Sequence, residues 1–260
     1  MADWNAGAYD RFAEARQRAA RDLVLAVPEL EAKLITDLGC GSGLSTQLLD
    51  ERWPQAEITA VDRSPAMLER ARERVPRARA VEGDIGNSDL WSNGSLQDLL
   101  FANASLHWLP AHDRLLPSLL ARLRSGGVLA LQMPVNLEEP SHRLMRETAG
   151  LPAYRESTRA LTGNRPMLPA PDAYYDMLAA SCSTLEIWVT RYLHPLSDVR
   201  EIFELFATTG LKPYLDALPE DRRGAFIDDY VEALRGAYAQ RSDGRVLLAL
   251  PRLFIMATRH

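Results

Sequence analysis

Leu34-Ile35-Thr36-Asp37-Leu38-Gly39-Cys40-Gly41-Ser42-Gly43-Leu44 decides how the rest of this 260-residue chain reads. Five residues suited to a short buried strand run into a loop with glycine at every second position. Leu44 to Trp53 then reads as a helix that stops at Pro54. Glycine in such a loop lets the backbone turn tightly and lets a ligand approach the main chain. One loop of this kind is weak evidence, because many strand-to-helix turns carry one. Its weight comes from the repetition around it.

Upstream, residues 8–26 carry Phe12, Ala15, Ala19 and Leu23 at helical spacing, and Pro28 closes that segment. Downstream, Glu57 to Val61 is a second strand, and Ser64-Pro65 opens a helix to about Val75 as N-cap and first helical residue. Arg79 to Glu82 suits a third strand and Leu96 to Ala102 a fourth. His112 to Leu123 is helical, and Gly126-Gly127 turns into a fifth strand, Val128 to Met133. Strands alternating with helices in this way imply right-handed crossovers and an α/β, doubly wound, mostly parallel sheet.

The second half breaks that rhythm. Helices are expected at 141–149 and 172–180, and a sixth strand at 185–193. Residues 198–240 are helical with breaks at Gly210 and Pro219, and Pro251 to Thr258 is a last strand buried on both faces, with Pro251 as its first residue. The chain therefore reads as one sheet domain, 1–260, with insertions at 134–170 and 197–245.

Polar residues fall at the ends of successive strands: the glycine loop after the first, Asp62 after the second, Gly83-Asp84-Ile85 after the third and Asn103 after the fourth. In an open parallel sheet ligands bind outside the carboxyl ends of the strands, so these residues face one crevice. An acidic group after the second strand suits the hydroxyl donors of a ribose. A carboxylate and a carboxamide after the third and fourth suit an adenine amino group and an ammonium.

Composition narrows the classes. With 30 basic against 35 acidic residues and a formal charge of −5, bulk-charge binding of nucleic acid or anionic membrane is disfavoured. No apolar run approaches the ~20 residues of a spanning helix, and the N-terminus lacks a secretory pattern. Cys40 and Cys182 offer no disulfide framework, so a cytoplasmic setting is expected. Cys40 reads as a small loop residue with no activating base nearby. His107, His112, His142, His194 and His260 lack paired ligand spacing, so no metal is expected. Lys33 and Lys212 are the only lysines among the 30 basic residues. Biased codon usage accounts for much of that, with a few arginines left to clamp carboxylates or phosphates bidentately.

A dinucleotide fingerprint wants Gly-x-Gly-x-x-Gly, whereas here the third glycine comes one residue early and Leu44 stands in the expected place. The loop resembles instead the first motif of class I S-adenosylmethionine-dependent methyltransferases, over residues 30–133. That resemblance implies a Rossmann-like seven-stranded sheet whose sixth strand is parallel to its neighbours and whose seventh is antiparallel. S-adenosylmethionine would be the cofactor, with Gly39, Gly41 and Gly43 cradling its amino-acid part. Asp62 would hold the ribose hydroxyls with Arg63 beside it, Asp84 and Ile85 would frame the adenine, and Asn103 and Ala104 would line the methionine arm. Tyr9 and Arg16, in the N-terminal helix (1–30), would fold over the polar end. Both insertions would emerge on the carboxyl face and form a substrate lid.

Phe101-Ala-Asn-Ala-Ser-Leu-His107-Trp108-Leu-Pro110, Gln132-Met-Pro134, Leu144-Met-Arg146-Glu147, Tyr174-Tyr175-Asp176 and Pro251-Arg252-Leu-Phe254-Ile255 narrow the match. Together they are similar to the trans-aconitate methyltransferase family, which makes a monomethyl ester of an unsaturated tricarboxylate. An ionised carboxylate needs no general base, so no catalytic residue is expected beyond those that position substrate. Candidates for the acid are Arg252, Arg143, Arg146, Arg155 and Arg165, with Tyr154 as a hydrogen-bond donor and His107 and Trp108 beside the methionine arm. No nucleic acid, membrane or protein partner is implied. Two alternatives stay open: another small di- or tricarboxylic acid as acceptor, and, more distantly, an NAD(P)-dependent oxidoreductase.

Overall fold

The computed structural model describes residues 17–87, 94–161, 167–207 and 209–260. Residues 17–26 are helical (α1). There follow β1 (Leu34–Leu38), α2 (Leu44–Arg52), β2 (Glu57–Asp62), α3 (Pro65–Arg74), β3 (Arg79–Glu82), β4 (Gln97–Asn103), α4 (His112–Leu120) and β5 (Leu123–Pro134). The second half contributes α5 (Pro140–Ala149), α6 (Arg155–Thr158), α7 (Pro171–Leu178), β6 (Cys182–Leu196), α8 (Arg200–Ala207), α9 (Lys212–Ala217), α10 (Glu220–Ala237) and β7 (Val246–Arg259). The seven strands form one sheet in the order β3-β2-β1-β4-β5-β7-β6. The first five are parallel and β7 is antiparallel to β5. The doubly wound reading thus holds, with the order reversing between β1 and β4. No helix among the described residues is long and apolar enough to cross a membrane.

The chain divides into two compact units. Of the described residues, the larger takes 17–134, Leu168–Thr190 and Arg252–His260, and the smaller takes those within 135–167 and Arg191–Pro251. In the larger, β1 and β4 are central and buried on both faces: Ile35, Leu38, Leu99, Leu100 and Phe101 have no exposed surface. Burial of each such side chain contributes roughly 1.5–3 kcal/mol, which is why these strands read as apolar runs and not as alternations. Ser64 accepts a hydrogen bond from Met67 N at the start of α3, with Pro65 in the first turn, as the sequence implied.

Asp98 holds the opposite end of the sheet from the glycine loop. It accepts the backbone N–H groups of Lys33 (2.6 Å) and Leu34 (2.8 Å) and is ion-paired with Arg124. One carboxylate therefore joins β4 to the entry of β1 and to β5. Burial alone would raise its pKa. The two backbone donors and the guanidinium outweigh that and hold it below the ordinary 3.8.

Three strand boundaries depart from expectation. β5 starts at Leu123, not Val128, because Gln97 pairs with Leu123 and Leu99 with Val128; the residues between, including Gly126-Gly127, form an irregularity inside the strand. β7 starts at Val246, so Pro251 is internal. Its carbonyl still accepts Val135 N at 3.1 Å, a bond that asks nothing of the missing N–H. β6 is longer than expected and is bordered in the sheet by β7 alone. His260 N donates to Ser181 O, and the Thr184 and Thr258 hydroxyls are 2.8 Å apart. The sixth strand therefore runs antiparallel to its neighbour, which corrects the expectation of parallel ones.

The expected insertions fall almost wholly in the smaller unit, whose core is helical. Phe226, Tyr230 and Leu234 recur every fourth residue along α10 and are fully buried with Met145 and Ala149 of α5. Tyr230 OH donates to Ser141 O at 2.9 Å, and Tyr238 OH accepts Ser141 N at 3.1 Å, fixing the start of α5.

Replacing Asp98 with alanine strands two backbone donors and a guanidinium, and should lower the unfolding free energy by about 2–4 kcal/mol at pH 7. A carboxylate with a depressed folded pKa contributes fully above its unfolded value and loses that contribution as pH falls. The deficit of Asp98→Ala in urea unfolding should therefore shrink below pH 4.

Candidate active site

Within the larger unit, the glycine loop and the carboxyl ends of β2, β3 and β4 enclose a cavity of about 440 Å³. Gly39, Gly41, Asp62, Arg63, Asp84, Ile85 and Ala104, all expected at a cofactor, line it, and so does Trp108, expected near the acid. Gly83, Met67, Ser105 and Leu109 complete the wall. The last three escaped the sequence reading because nothing in the local pattern marks an apolar or hydroxyl side chain as a wall residue.

The loop is fastened to the end of β2. Gly39 N and Cys40 N both donate to Val61 O, at 2.8 and 3.0 Å, and Gly41 N donates to Asp62 Oδ2 at 2.9 Å. Asp62 Oδ1 accepts Ser64 N at 2.9 Å, so each carboxylate oxygen holds one backbone donor and keeps a lone pair for a ligand. A Cβ on Gly39 would sit 2.3 Å from Ser105 Cβ, at φ +77°. A Cβ on Gly43 would sit 2.9 Å from Ala71 Cα. Gly43 thus serves the approach of α2 to α3 and is not among the cavity's lining residues. Asn103 is not either: its Oδ1 accepts Gln132 Nε2 at 3.0 Å. Gly41, by contrast, has nothing within 4 Å of where its Cβ would point, which leaves a cradle open to a ligand.

The donor set decides which nucleotide fits. A pyrophosphate needs free backbone N–H groups at the loop, but the Gly41 N–H is occupied by Asp62. The cavity presents two carboxylates, Asp62 and Asp84, against one guanidinium, Arg63. Such a wall suits hydroxyl donors and a cationic ligand, as S-adenosylmethionine is, and opposes a dianion.

A family model described as a methyltransferase domain matches residues 35–127. Over the whole of both chains, the sequence is 48% identical to the trans-aconitate 2-methyltransferase of Azoarcus sp. (strain BH72). It is 46% identical, again over the whole of both chains, to the enzyme of the same name from Afipia carboxidovorans. The chain belongs to the trans-aconitate 2-methyltransferase family. Its fold is shared by the YcgJ protein of Bacillus subtilis, with a TM-score of 0.55 at 13% identity over 94% of this chain and 99% of that one. The oxidoreductase alternative finds no support among these relatives.

In this member of the trans-aconitate 2-methyltransferase family, the remaining candidates divide by unit. In the larger, Arg252 lies in β7 in register with Pro134, the last residue of β5, and is not among the cavity's lining residues. His107 is buried, its ring centroid 4.7 Å from that of Trp108, while Trp108 is 62% exposed. In the smaller, Arg143 pairs with Glu147 at 2.9 Å, and Arg146 bonds Leu137 O and Glu138. Arg155 is exposed in the first turn of α6. Tyr154 is buried and donates to Asp229 at 2.6 Å; burial and that carboxylate push its pKa up to about 12. Tyr9, Arg16 and Arg165 lie outside the described residues.

Two residues of the motif, Cys40 in the loop and Asp37 in β1, are buried away from the cavity lining. Cys40 is buried with Ala60, Leu68 and Ala71, and burial together with Asp37 and Asp62 raises its thiol pKa far out of the reactive range. Asp37, the residue that opens the motif, has no exposed surface. Its Oδ2 accepts Ser45 Oγ and Thr46 Oγ1, both at 2.7 Å, which ties β1 to the first turn of α2. Its Oδ1 is buried without a hydrogen bond. Burial raises its pKa to about 6, against the pull of the two hydroxyls and with a smaller push from Asp62.

Because the folded pKa of Asp37 exceeds its unfolded 3.8, the folded chain holds the extra proton in between, and stability from this group falls as pH rises from about 4 to about 6. Asp37→Asn keeps an acceptor and removes the charge. Its unfolding free energy relative to the parent should therefore rise by about 2–3 kcal/mol between pH 4 and pH 7.5, whatever fixed cost the amide adds at both.

Proposed function

We propose that this chain methylates trans-aconitate, transferring the methyl group of S-adenosylmethionine to one ionised carboxylate to give the monomethyl ester. The cofactor assignment is carried by one observation: the glycine loop's central N–H is bound to Asp62, leaving an acceptor-rich cavity beside an open cradle at Gly41. The acid rests on full-length identity of 48% and 46% to two enzymes that bear its name.

When bound, the cofactor supplies a methyl group on a sulfonium. A carboxylate oxygen would take that methyl in line as the carbon–sulfur bond left its electron pair on sulfur. No proton moves, so the chain needs no general base. The residues assigned to it orient and shield. Asp62 would receive the ribose hydroxyls, Asp84 and Ile85 would border the adenine, and Gly41 with Ala104 would admit the methionine arm. Trp108, in the cavity wall, would restrict the access of water. Alignment in a dry site contributes much of the barrier reduction in such displacements. A trianionic acid meeting a chain of formal charge −5 requires local guanidinium groups. Arg252 is our first candidate, on its position at the carboxyl end of β5. Arg143, Arg146, Arg155 and Arg165 are candidates by their place in the sequence.

The reading is tested by mass spectrometry of the chain with S-adenosylmethionine and a panel of di- and tricarboxylates. A product 14 Da heavier is expected with trans-aconitate, well above citrate, cis-aconitate and isocitrate. Preference for a different acid would move the substrate and keep the reaction, and no product with any acid would refute both. Arg252→Ala should raise KM for the acid tenfold or more, since a charged hydrogen bond is worth roughly 1.5–3 kcal/mol; unchanged kinetics would remove Arg252 from the site.

A further inference from the structure

Tyr174 stands in one of the family-like motifs yet has no part in the chemistry above. It is wholly buried on α7, and its hydroxyl oxygen lies 2.7 Å from Nδ1 of His112, the first residue of α4. The other ring nitrogen, Nε2, lies 3.0 Å from the carbonyl oxygen of Leu106. A carbonyl only accepts, so Nε2 carries the proton; Nδ1 is then the acceptor and the Tyr174 hydroxyl donates to it. Both ring nitrogens are used, and a single tautomer satisfies them. An apolar pair would fill the same space, but it would leave Leu106 O without this donor.

Leu106 O matters because of what the turn behind it carries. It also accepts Leu109 N at 2.9 Å, closing the short 3₁₀ turn Leu106–Trp108 from which Trp108 reaches the cavity wall. The turn is bounded by two alanines in the left-handed region, Ala104 at φ 53° and Ala111 at φ 57°. Non-glycine residues hold that conformation only where the surroundings impose it. Ser105 Oγ, donating to Leu38 O at 2.5 Å, anchors one end, and His112 anchors the other. Trp108 is 62% exposed, so its place depends on the backbone that presents it more than on burial of the indole.

We propose that His112, held in one tautomer by Tyr174, is a positioning residue that sets Trp108 as a wall of the methyl-donor cavity. The proposal rests on the cofactor reading above for its functional consequence, but the placement of Trp108 does not depend on it.

The test is a double-mutant cycle with two readouts. One is the Kd for S-adenosylmethionine. The other is acrylamide quenching of Trp108 emission in the ligand-free chain, taken as the difference from Trp108→Phe. His112→Leu, which removes the donor to Leu106 O, should weaken binding fivefold or more and make Trp108 easier to quench. His112→Gln, whose side-chain amide can supply that donor, should restore both to within twofold of the parent. In the Trp108→Phe background, His112→Leu should change Kd less than twofold. Equal losses in both backgrounds, no change in a folded His112→Leu, or a His112→Gln no better than leucine would each overturn the proposal. Should His112→Leu fail to fold, Tyr174→Phe takes its place, removing one hydroxyl and keeping the ring. Weaker binding and easier quenching support the proposal, and parental values for both overturn it. Failure of the parent chain to bind S-adenosylmethionine would refute the cofactor reading, and the quenching arm would still decide the placement.

Discussion

The hydrogen bond from Gly41 N to Asp62 Oδ2 is the constraint on which the candidate site depends. It joins the loop after the first strand to the residue that ends the second, so the loop's shape and the carboxylate's orientation are set together. It also bears on the charge of the ligand that the loop suits. A glycine loop at a helix N-terminus is by default an anion site, and here the donor at its centre is satisfied internally by an acid. The same residue then faces outward with lone pairs to spare. Within the same strand–loop–helix frame, the arrangement therefore favours a cationic ligand with hydroxyl donors over a pyrophosphate. Asp37 acts one layer below, holding the start of α2 through Ser45 and Thr46.

The preponderance of arginine also has a structural side. Arg52 donates to the carbonyls of Val24, in the last turn of α1, and of Val27 and Pro28 beyond it. Arg77 reaches Ala56 O and Trp53 O, and Arg259 reaches Ala121 O and Leu123 O. Carbonyls past a helix end have no partner within the helix, and a planar fork can serve two of them at once where an ammonium serves as a point. These arginines close loops, and their number is no guide to how many meet substrate.

Much of the fold and part of the site were legible in the sequence. The alternation of apolar strands with capped helices is local, and so were Asp62, Asp84 and the loop glycines, which topology alone places at strand ends. Pairings between distant residues stayed hidden. Asp98 looks like one more polar residue in a strand until Lys33, Leu34 and Arg124 are seen around it. Ser105 joins the wall through Leu38, and Gly43 turns out to face Ala71. The early start of β5 was masked by Gly126-Gly127, which reads as a turn and is an irregularity inside a strand. Pro251 read as a strand's beginning because proline lacks a ladder donor, while its carbonyl continues the pairing.

The order β5-β7-β6 bears on how such a chain is made. A ribosome releases β1 to β5 first, and these can pair as they emerge. β7 follows the other six strands of this sheet in the sequence, yet it is an interior one, lying between β5 and β6. Until β7 emerges, the residues of β5 that will pair with it, all buried in the folded protein, border an open edge. An apolar edge left open in this way is a place where nascent chains associate wrongly. Completion of the sheet waits on Val246–Arg259, so the vulnerable interval runs from the release of β5 to the release of β7.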